Sequence, residues 1–354
     1  MPKPANLLIY GANGYTGELI ARHAVQQGLR PILAGRTAEK ISPLAEELDL
    51  EQRVFSLDDS AAIDRALADV GVALHCAGPF SHTAAAMVDA CLRTQAHYLD
   101  ITGEIAVFET IARRSKEAIS AGVMLLPGAG FDVVPTDCLA AHLKRRMPNA
   151  TQLTLAMLNV GGGLSRGTAT TAIEGAGQGG AVRRDGKITR VLAAHSSRQF
   201  DFGRGPRMAT AIPWGDVSTA FYSTGIPNIE VYAAFPNTAR WAMMATRYFG
   251  WAVRSSVAQG LFKRMIQSQP PGPSQANRER GTSIVVGQVE DGAGNKMISR
   301  LRTPEGYKLT ALSSVAIARR VLDGNFKPGF QTPSLAYGAD FILEIPGVER
   351  EDVE

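Results

Sequence analysis

Gly11, Gly14 and Gly17 follow directly on four apolar residues, Leu7 to Tyr10, and precede a helix-like segment, Glu18 to Gln27, that Gly28 closes. An apolar run of this length reads as a buried strand, so the stretch Gly11-Ala12-Asn13-Gly14-Tyr15-Thr16-Gly17 is expected to be a tight turn between a strand and a helix. A pyrophosphate fits such a turn because backbone N–H groups and the helix dipole both favour negative charge there. Gly11 serves the turn, Gly14 the approach of backbone to phosphate, and Gly17 the close packing of helix on strand. The competing reading is a glycine turn with no ligand.

The strand and helix patterns then alternate. Strands are expected at Arg30 to Ala34, Val54 to Leu57, Val72 to Cys76, His97 to Ile101 and Gly122 to Leu126, separated by helical stretches. Alternation of this kind predicts a doubly wound parallel sheet of the Rossmann type, in which ligands bind outside the carboxyl ends of the strands. At the second strand end, about 20 positions beyond the glycines, NAD enzymes usually carry an acidic residue for the ribose 2′-hydroxyl. Here Gly35 is followed by Arg36, with Thr37 and Lys40 close by. A guanidinium pairs with a 2′-phosphate and stacks on adenine, so NADP is preferred over NAD. Asp58 is a candidate acceptor for the adenine amino group, while Asp59 or Ser60 reads as a helix N-cap.

Cys76-Ala77-Gly78-Pro79-Phe80 falls at the fourth strand end, on the side expected for the nicotinamide. Cys76 lacks a base at a recognisable spacing, and a buried structural thiol is the simpler reading. Polar groups crowd the next strand end: Tyr98, Asp100 and Glu104 are candidates for handling a proton, with Tyr98 and Asp100 on one face of their strand. Thr102 and Asp132 are candidates for touching substrate, with Asp132 also a further carboxylate for the proton. Each of these carboxylates also has a plain alternative, capping a helix or orienting a loop.

These motifs together resemble the saccharopine dehydrogenase-like oxidoreductases, and more closely the bacterial branch that includes trans-acting enoyl reductases. The likeness rests on the first glycine motif, Ala34-Gly35-Arg36, Cys76 to Phe80, His97 to Glu104 and Gly128 to Asp132. It extends to Gly272 to Ser274 with Arg278 to Gly281, and to Thr332 to Ser334. The resemblance implies an NADP-binding Rossmann domain over 1–132, a mixed α/β substrate and dimerisation domain over 133–310, and a segment 311–354 returning to the first domain. It also implies hydride transfer to a C=N, C=C or carbonyl carbon. The middle of the chain does not match a saccharopine-binding pattern, and alternatives are an enoyl reductase acting on a lipid-like or polyketide-like substrate, or a nonenzymatic NADP-binding scaffold.

In the second half, Gly161-Gly162-Gly163 leads to Ser165 and Arg166 before a helix, a candidate clamp for a substrate carboxylate or phosphate, or an ordinary N-cap. Residues 183–236 alternate short apolar runs with Gly/Pro turns and read as strands. Residues 238–266 read as one long helical stretch rich in Trp, Met, Phe and Tyr, with Arg240, Arg247 and Arg254 seven apart. It is a candidate for core, for a homodimer interface, or for contact with a membrane surface or acyl substrate. Pro270 to Arg280 reads as a polar loop, and Thr282 to Val289 with Lys296 to Arg302 as a hairpin.

Whole-chain properties set the remaining bounds. The 354 residues suit two domains, and a net charge of +4 is spread without the basic block of a nucleic-acid tail, so no nucleic-acid partner is expected. The 3 cysteines show neither CxxC nor metal-ligand spacing, so no metal is expected. The start lacks a signal-peptide pattern, and a cytoplasmic setting is expected.

Overall fold

The structure, a computed structural model, describes residues 6–253 and 255–353, and expectations placed on Met1 to Pro4 and on Arg254 lie outside them. It divides into two units, Met1–Val134 with Tyr307–Ala336, and Pro135–Gly306 with Tyr337–Glu354.

In the first unit, short apolar strands alternate with amphipathic helices. They run β1 (Leu7–Tyr10), α1 (Tyr15–Gln26), β2 (Ile32–Gly35), α2 (Ala38–Leu48), β3 (Gln52–Val54), α3 (Ser60–Leu67), β4 (Val72–His75), α4 (Phe80–Thr94), β5 (His97–Asp100), α5 (Ile105–Ala112), α6 (Ser115–Ala121) and β6 (Met124–Leu126). All pairings are parallel, in the order β3-β2-β1-β4-β5-β6. Strands β1, β2 and β4 are buried along their whole length, as a sheet covered by helices on both faces requires. The expected third strand is displaced: pairing runs over Gln52–Val54, a polar edge strand without the apolar run that marked Val54 to Leu57. After Phe55 the chain turns, with the Ser56 hydroxyl donating to Asp58 at 2.9 Å.

The second unit holds α7 (Val134–Arg146), β7 (Ala150–Val160), α8 (Arg166–Gly175), β8 (Gly180–Arg184), β9 (Lys187–Val191), β10 (Ser197–Asp201), β11 (Pro206–Ala211), α9 (Asp216–Thr224), β12 (Asn228–Ala233), α10 (Asn237–Val253), α11 (Ser256–Gln267), α12 (Gln275–Arg280), β13 (Thr282–Asp291) and β14 (Lys296–Pro304). Then α13 (Gly306–Leu322) and β15 (Gly329–Phe330) complete the first unit, β15 pairing parallel with β6. The chain ends with α14 (Pro333–Tyr337), a 3-10 turn at Phe341–Glu344 and β16 (Glu349–Val353). The second sheet is mixed, in the order β10-β11-β12-β7-β13-β14-β16, with β12 and β7 parallel.

The return to the first unit is therefore narrower than 311–354. Tyr307–Ala336 makes it, whereas Tyr337–Glu354 belongs to the second unit, where β16 pairs antiparallel with β14. Three further readings change. The stretch 238–266 is two helices, α10 and α11, rather than one. The loop 270–280 contains α12, capped by Ser274, whose hydroxyl accepts from the Asn277 amide. A helix, α9, interrupts the strands of 183–236; its first turn contains the buried Asp216.

On one face of the second sheet Gly287 meets α7 so closely that a Cβ there would lie 2.5 Å from Leu143 Cδ1. The other face carries an apolar cluster of Ala156, Phe200, Phe202, Tyr232, Ile284 and Val286. Among the described residues, no helix is long and apolar enough to cross a membrane, and no group of His, Cys, Asp and Glu could hold a metal ion.

Candidate functional site

The carboxyl ends of β1, β2, β4, β5 and β6 all open on the same edge of the first sheet, because every strand is parallel. From β1 the chain proceeds outward to β2 and β3, and on the other side to β4, β5 and β6. The gap between the β1 and β4 ends is thus the topological switch point where open α/β sheets bind ligands.

At this gap Gly11 takes φ +82° and lies against the loop after β4; a Cβ on it would meet Ala77 Cβ at 2.9 Å. A Cβ on Gly17 would sit 2.3 Å from the Gly11 carbonyl oxygen, so no other residue lets α1 approach β1 this closely. Gly14 is the N-cap of α1 and supplies no side-chain acceptor. A 12-residue helix therefore presents its positive end with no side-chain cap, which fits a phosphate. Asn13 is exposed at the turn, Thr16 is half-buried, and the Tyr15 ring packs edge-on against Tyr307 of the return segment at 5.1 Å.

Beside it, Arg36 and Lys40 are exposed, and among the described residues neither has an ion-pair partner. Thr37 is the N-cap of α2 without a side-chain bond, and Gly35 is buried with Asn13 Oδ1 3.1 Å from where its Cβ would be. Asp58 is exposed and engaged by Ser56, while Asp59 caps α3 by accepting from the Ala62 amide at 3.0 Å. The Tyr10 hydroxyl donates to the Phe55 carbonyl beneath Arg36 and Asp58; burial pushes its pKa up to about 12, with Arg36 pulling it down. The exposed cations and the uncapped helix suit a dinucleotide carrying extra phosphate charge near β2.

At the β4 end, His75 and its neighbours form a closed network. Thr83 donates to the Ala77 carbonyl at 2.7 Å, so the His75 Nε2, 2.9 Å from the same hydroxyl, is the donor to it. Nδ1 is then an acceptor buried without a partner, and burial lowers the His75 pKa to about 3, keeping the ring neutral. Cys76 is half-buried, its thiol pushed up by burial and by the charge of Asp100, which is inconsistent with a thiolate nucleophile. Gly78 and Pro79, joined by a cis bond, lead to the buried ring of Phe80.

Glu104 accepts from the Phe80 amide at 2.7 Å and the Ser81 amide at 3.0 Å. It caps the start of α4 at Phe80. Tyr98 and Asp100 share a face, and both are fully buried. The tyrosine hydroxyl donates to Asp100 Oδ2 at 2.7 Å, while Oδ1 accepts from the amides of Thr102 at 2.9 Å and Gly128 at 2.8 Å. Asp100 therefore ties together the loops after β5 and β6. Burial raises its pKa to about 6, the three hydrogen bonds opposing that rise. In this arrangement Tyr98, Asp100 and Glu104 are spent on the protein's own groups, a consequence the spacing of the sequence does not reveal.

Thr102 is buried, its hydroxyl accepting from the Glu104 amide. Asp132 is half-buried, and its Oδ2 fills the space beside Gly103, 2.7 Å from where a Cβ would stand. Desolvation raises the Asp132 pKa to about 7. Its loop is also held from the return segment: the Phe131 amide donates to the Thr310 hydroxyl at 2.9 Å and Ser313 donates to the Ala129 carbonyl at 2.8 Å. Thr310 and Ser313 were not recognisable as part of this site; the one available signal was hydroxyls on the buried face of an amphipathic helix.

Ser165 and Arg166 lie in the second unit and are used locally. The Ser165 hydroxyl accepts from the Thr168 amide at 3.2 Å, and Arg166 donates to the Gln269 carbonyl at 2.7 Å. The same unit contains a cavity of about 330 Å³ with Leu158, Phe202 and Ile284 in its lining and the exposed Arg204 and Arg207 beside them. No carboxylate lines it, and among the described residues neither arginine has an ion-pair partner.

Residues 7–126 match the family model for the saccharopine dehydrogenase NADP binding domain. Over nearly the whole length, the chain is 24% identical to a putative trans-acting enoyl reductase of Mycobacterium tuberculosis, covering 98% of this chain and 96% of that protein. It is 23% identical to the saccharopine dehydrogenase-like oxidoreductase of Bos taurus, covering 97% and 95%. The apo saccharopine dehydrogenase (L-Glu forming) of Saccharomyces cerevisiae has the same fold, with a TM-score of 0.65 over 100% of both chains at 14% identity. The family resemblance carried by the sequence motifs is the one these comparisons find.

Proposed function

We propose that the chain is an NADP-dependent oxidoreductase of the saccharopine dehydrogenase-like type, reducing a C=N, C=C or carbonyl group. The observation that carries this reading is the N-terminus of α1, without a side-chain cap at the sheet's switch point, beside an arginine that has no ion-pair partner among the described residues, at the end of β2. Gly11, Gly14 and Gly17 admit the pyrophosphate, with Asn13, Tyr15 and Thr16 around it. Arg36, Thr37 and Lys40 take the 2′-phosphate, with Gly35 and Asp58 bordering the adenosine. Cys76 to Phe80 form the wall beside the nicotinamide ribose. The cofactor, when bound, supplies the hydride.

Proton handling is assigned to Asp132, whose half-buried carboxyl titrates near neutral pH, where a group both holds and releases a proton readily. Asp100, with Tyr98, positions the two loops that flank it, and Glu104 fixes the β4–α4 turn by its bonds to α4. NADPH consumption with a panel of imines, enones and aldehydes tests the reading. Turnover that Asp132→Asn slows without weakening NADPH binding supports it, and absence of turnover across the panel counts for a nonenzymatic NADP-binding scaffold.

A second reading, reduction of an enoyl group on a lipid-like substrate, is favoured by the cavity of the second unit. Apolar walls beside two exposed guanidiniums suit an acyl chain with an anionic head. Preference for long-chain over short-chain enoyl thioesters, lost in Arg204→Glu/Arg207→Glu, distinguishes it from the first.

A further inference from the structure

The two consecutive helices α10 and α11 turn apolar stripes outward. Trp241, Tyr248 and Trp251 are 60%, 77% and 74% exposed, and Val257, Leu261 and Met265 are 81%, 70% and 56% exposed. Positions three, four and seven apart lie on one helix face, so each helix presents a continuous apolar strip. The opposite faces are engaged with the fold. Arg247 donates to the carbonyls of Ala193, at 2.7 Å, and Ala194, Gly250 is buried against Gly177, Gln259 donates to the Ile173 carbonyl at 3.0 Å, and Ile266 is buried. Large apolar side chains therefore stand on the outward face beside the exposed Lys263 and Arg264, while the inward face of α11 still buries Ile266.

Charge distinguishes what covers this face. Between Glu230 and Glu279 the sequence contains no Asp or Glu, and its charged residues are Arg240, Arg247, Arg254, Lys263, Arg264 and Arg278. Lys263 is paired with Glu174 at 2.6 Å, and Arg264 lies on the exposed side of α11 next to Met265. In a twofold contact this face would meet the same face of a second copy, whose α10 and α11 contain no carboxylate to pair with Arg264. Tryptophan and tyrosine with aliphatic side chains, with the exposed Arg264 beside them and no Asp or Glu in the sequence of α10 or α11, match the boundary between acyl chains and anionic headgroups.

We infer that α10 and α11 form a surface that docks the protein peripherally on an anionic lipid bilayer. This surface uses residues distinct from those assigned to the cofactor, so the two assignments fail independently. The full chain is sedimented with sucrose-loaded phosphatidylcholine vesicles, with and without phosphatidylglycerol. It pellets with the anionic vesicles, less so as salt is raised. The emission of Trp241 and Trp251, two of the 3 tryptophans, shifts to the blue on binding. Trp241→Ser/Trp251→Ser lowers vesicle affinity about tenfold or more, and Arg264→Gln lowers it about fivefold. NADPH titration and circular dichroism of each variant establish that it is folded. Failure to pellet, equal pelleting on neutral vesicles, or unchanged binding by the double variant overturns the inference. So does light scattering that finds an oligomer which the double variant dissociates while the wild type ignores vesicles, because the face then belongs to a second copy.

Discussion

At Gly11 to Gly17 and again at Gly161 to Gly167 the chain runs glycines into the first turn of a helix, and the two turns differ in what meets the helix's amides. Ahead of α8, Ser165 supplies the cap and Arg166 reaches a backbone carbonyl, so the turn is complete within the protein. Ahead of α1, Gly14 supplies no side-chain cap, and the neighbouring Arg36 has no ion-pair partner among the described residues. Glycines before a helix are thus compatible with a binding site or a closed turn. The side chain at the N-cap position decides between them.

Substitutions at matched positions sharpen that contrast. Gly17→Ala is expected to weaken NADPH binding by more than about 100-fold, roughly 2.8 kcal/mol, because its Cβ would lie 2.3 Å from the Gly11 carbonyl oxygen. Gly163→Ala, whose Cβ would have only Pro273 Cγ within reach at 3.6 Å, is expected to leave NADPH binding unchanged. Fluorescence titration of both variants checks the pair, and equal losses would break the comparison.

Of comparable size are the effects at the carboxylates of the β5 and β6 loops. Asp100→Asn cannot accept all three of the hydrogen bonds made by the carboxylate and is expected to cost about 2 to 4 kcal/mol in denaturant unfolding. The raised pKa values, about 6 for Asp100 and about 7 for Asp132, mean that the folded state holds these protons more tightly than the unfolded chain does. Their contribution is present in full below the usual carboxylate range and is lost as pH rises through 6 to 7. Unfolding midpoints measured across that window are expected to fall with pH in the wild type and to fall less in Asp132→Asn. Parallel slopes would show that Asp132 does not titrate there.

The smallest effect is at the closed turn. Ser165→Ala removes an N-cap and is expected to cost about 1 kcal/mol of stability while leaving NADPH affinity unaltered. A change in cofactor affinity would show that the α8 turn is not merely structural.

Legibility in the sequence follows the same division. Strands β1, β2 and β4 announce themselves because burial on both faces demands apolar runs, and a glycine that must touch backbone cannot be anything else. The polar edge strand β3 carries no such signature, and the break between α10 and α11 lies inside a stretch whose composition is helical throughout. The roles of Tyr98, Asp100 and Glu104 depend on which amides the fold brings beside them. Asp100 meets Gly128, 28 positions away, and Glu104 meets Phe80, 24 positions away. Spacing along a chain does not encode such meetings, so carboxylates that cap and tie loops look identical to carboxylates that face a ligand.

The account turns on the phosphate end of the first unit, and titration of NADPH and NADH against the wild type and Arg36→Ala tests it most directly. A preference for NADPH that drops by about tenfold to a hundredfold in the variant, with NADH binding little changed, is the expected result. Equal affinity for the two dinucleotides in the wild type, or a preference that survives the loss of Arg36, would contradict it.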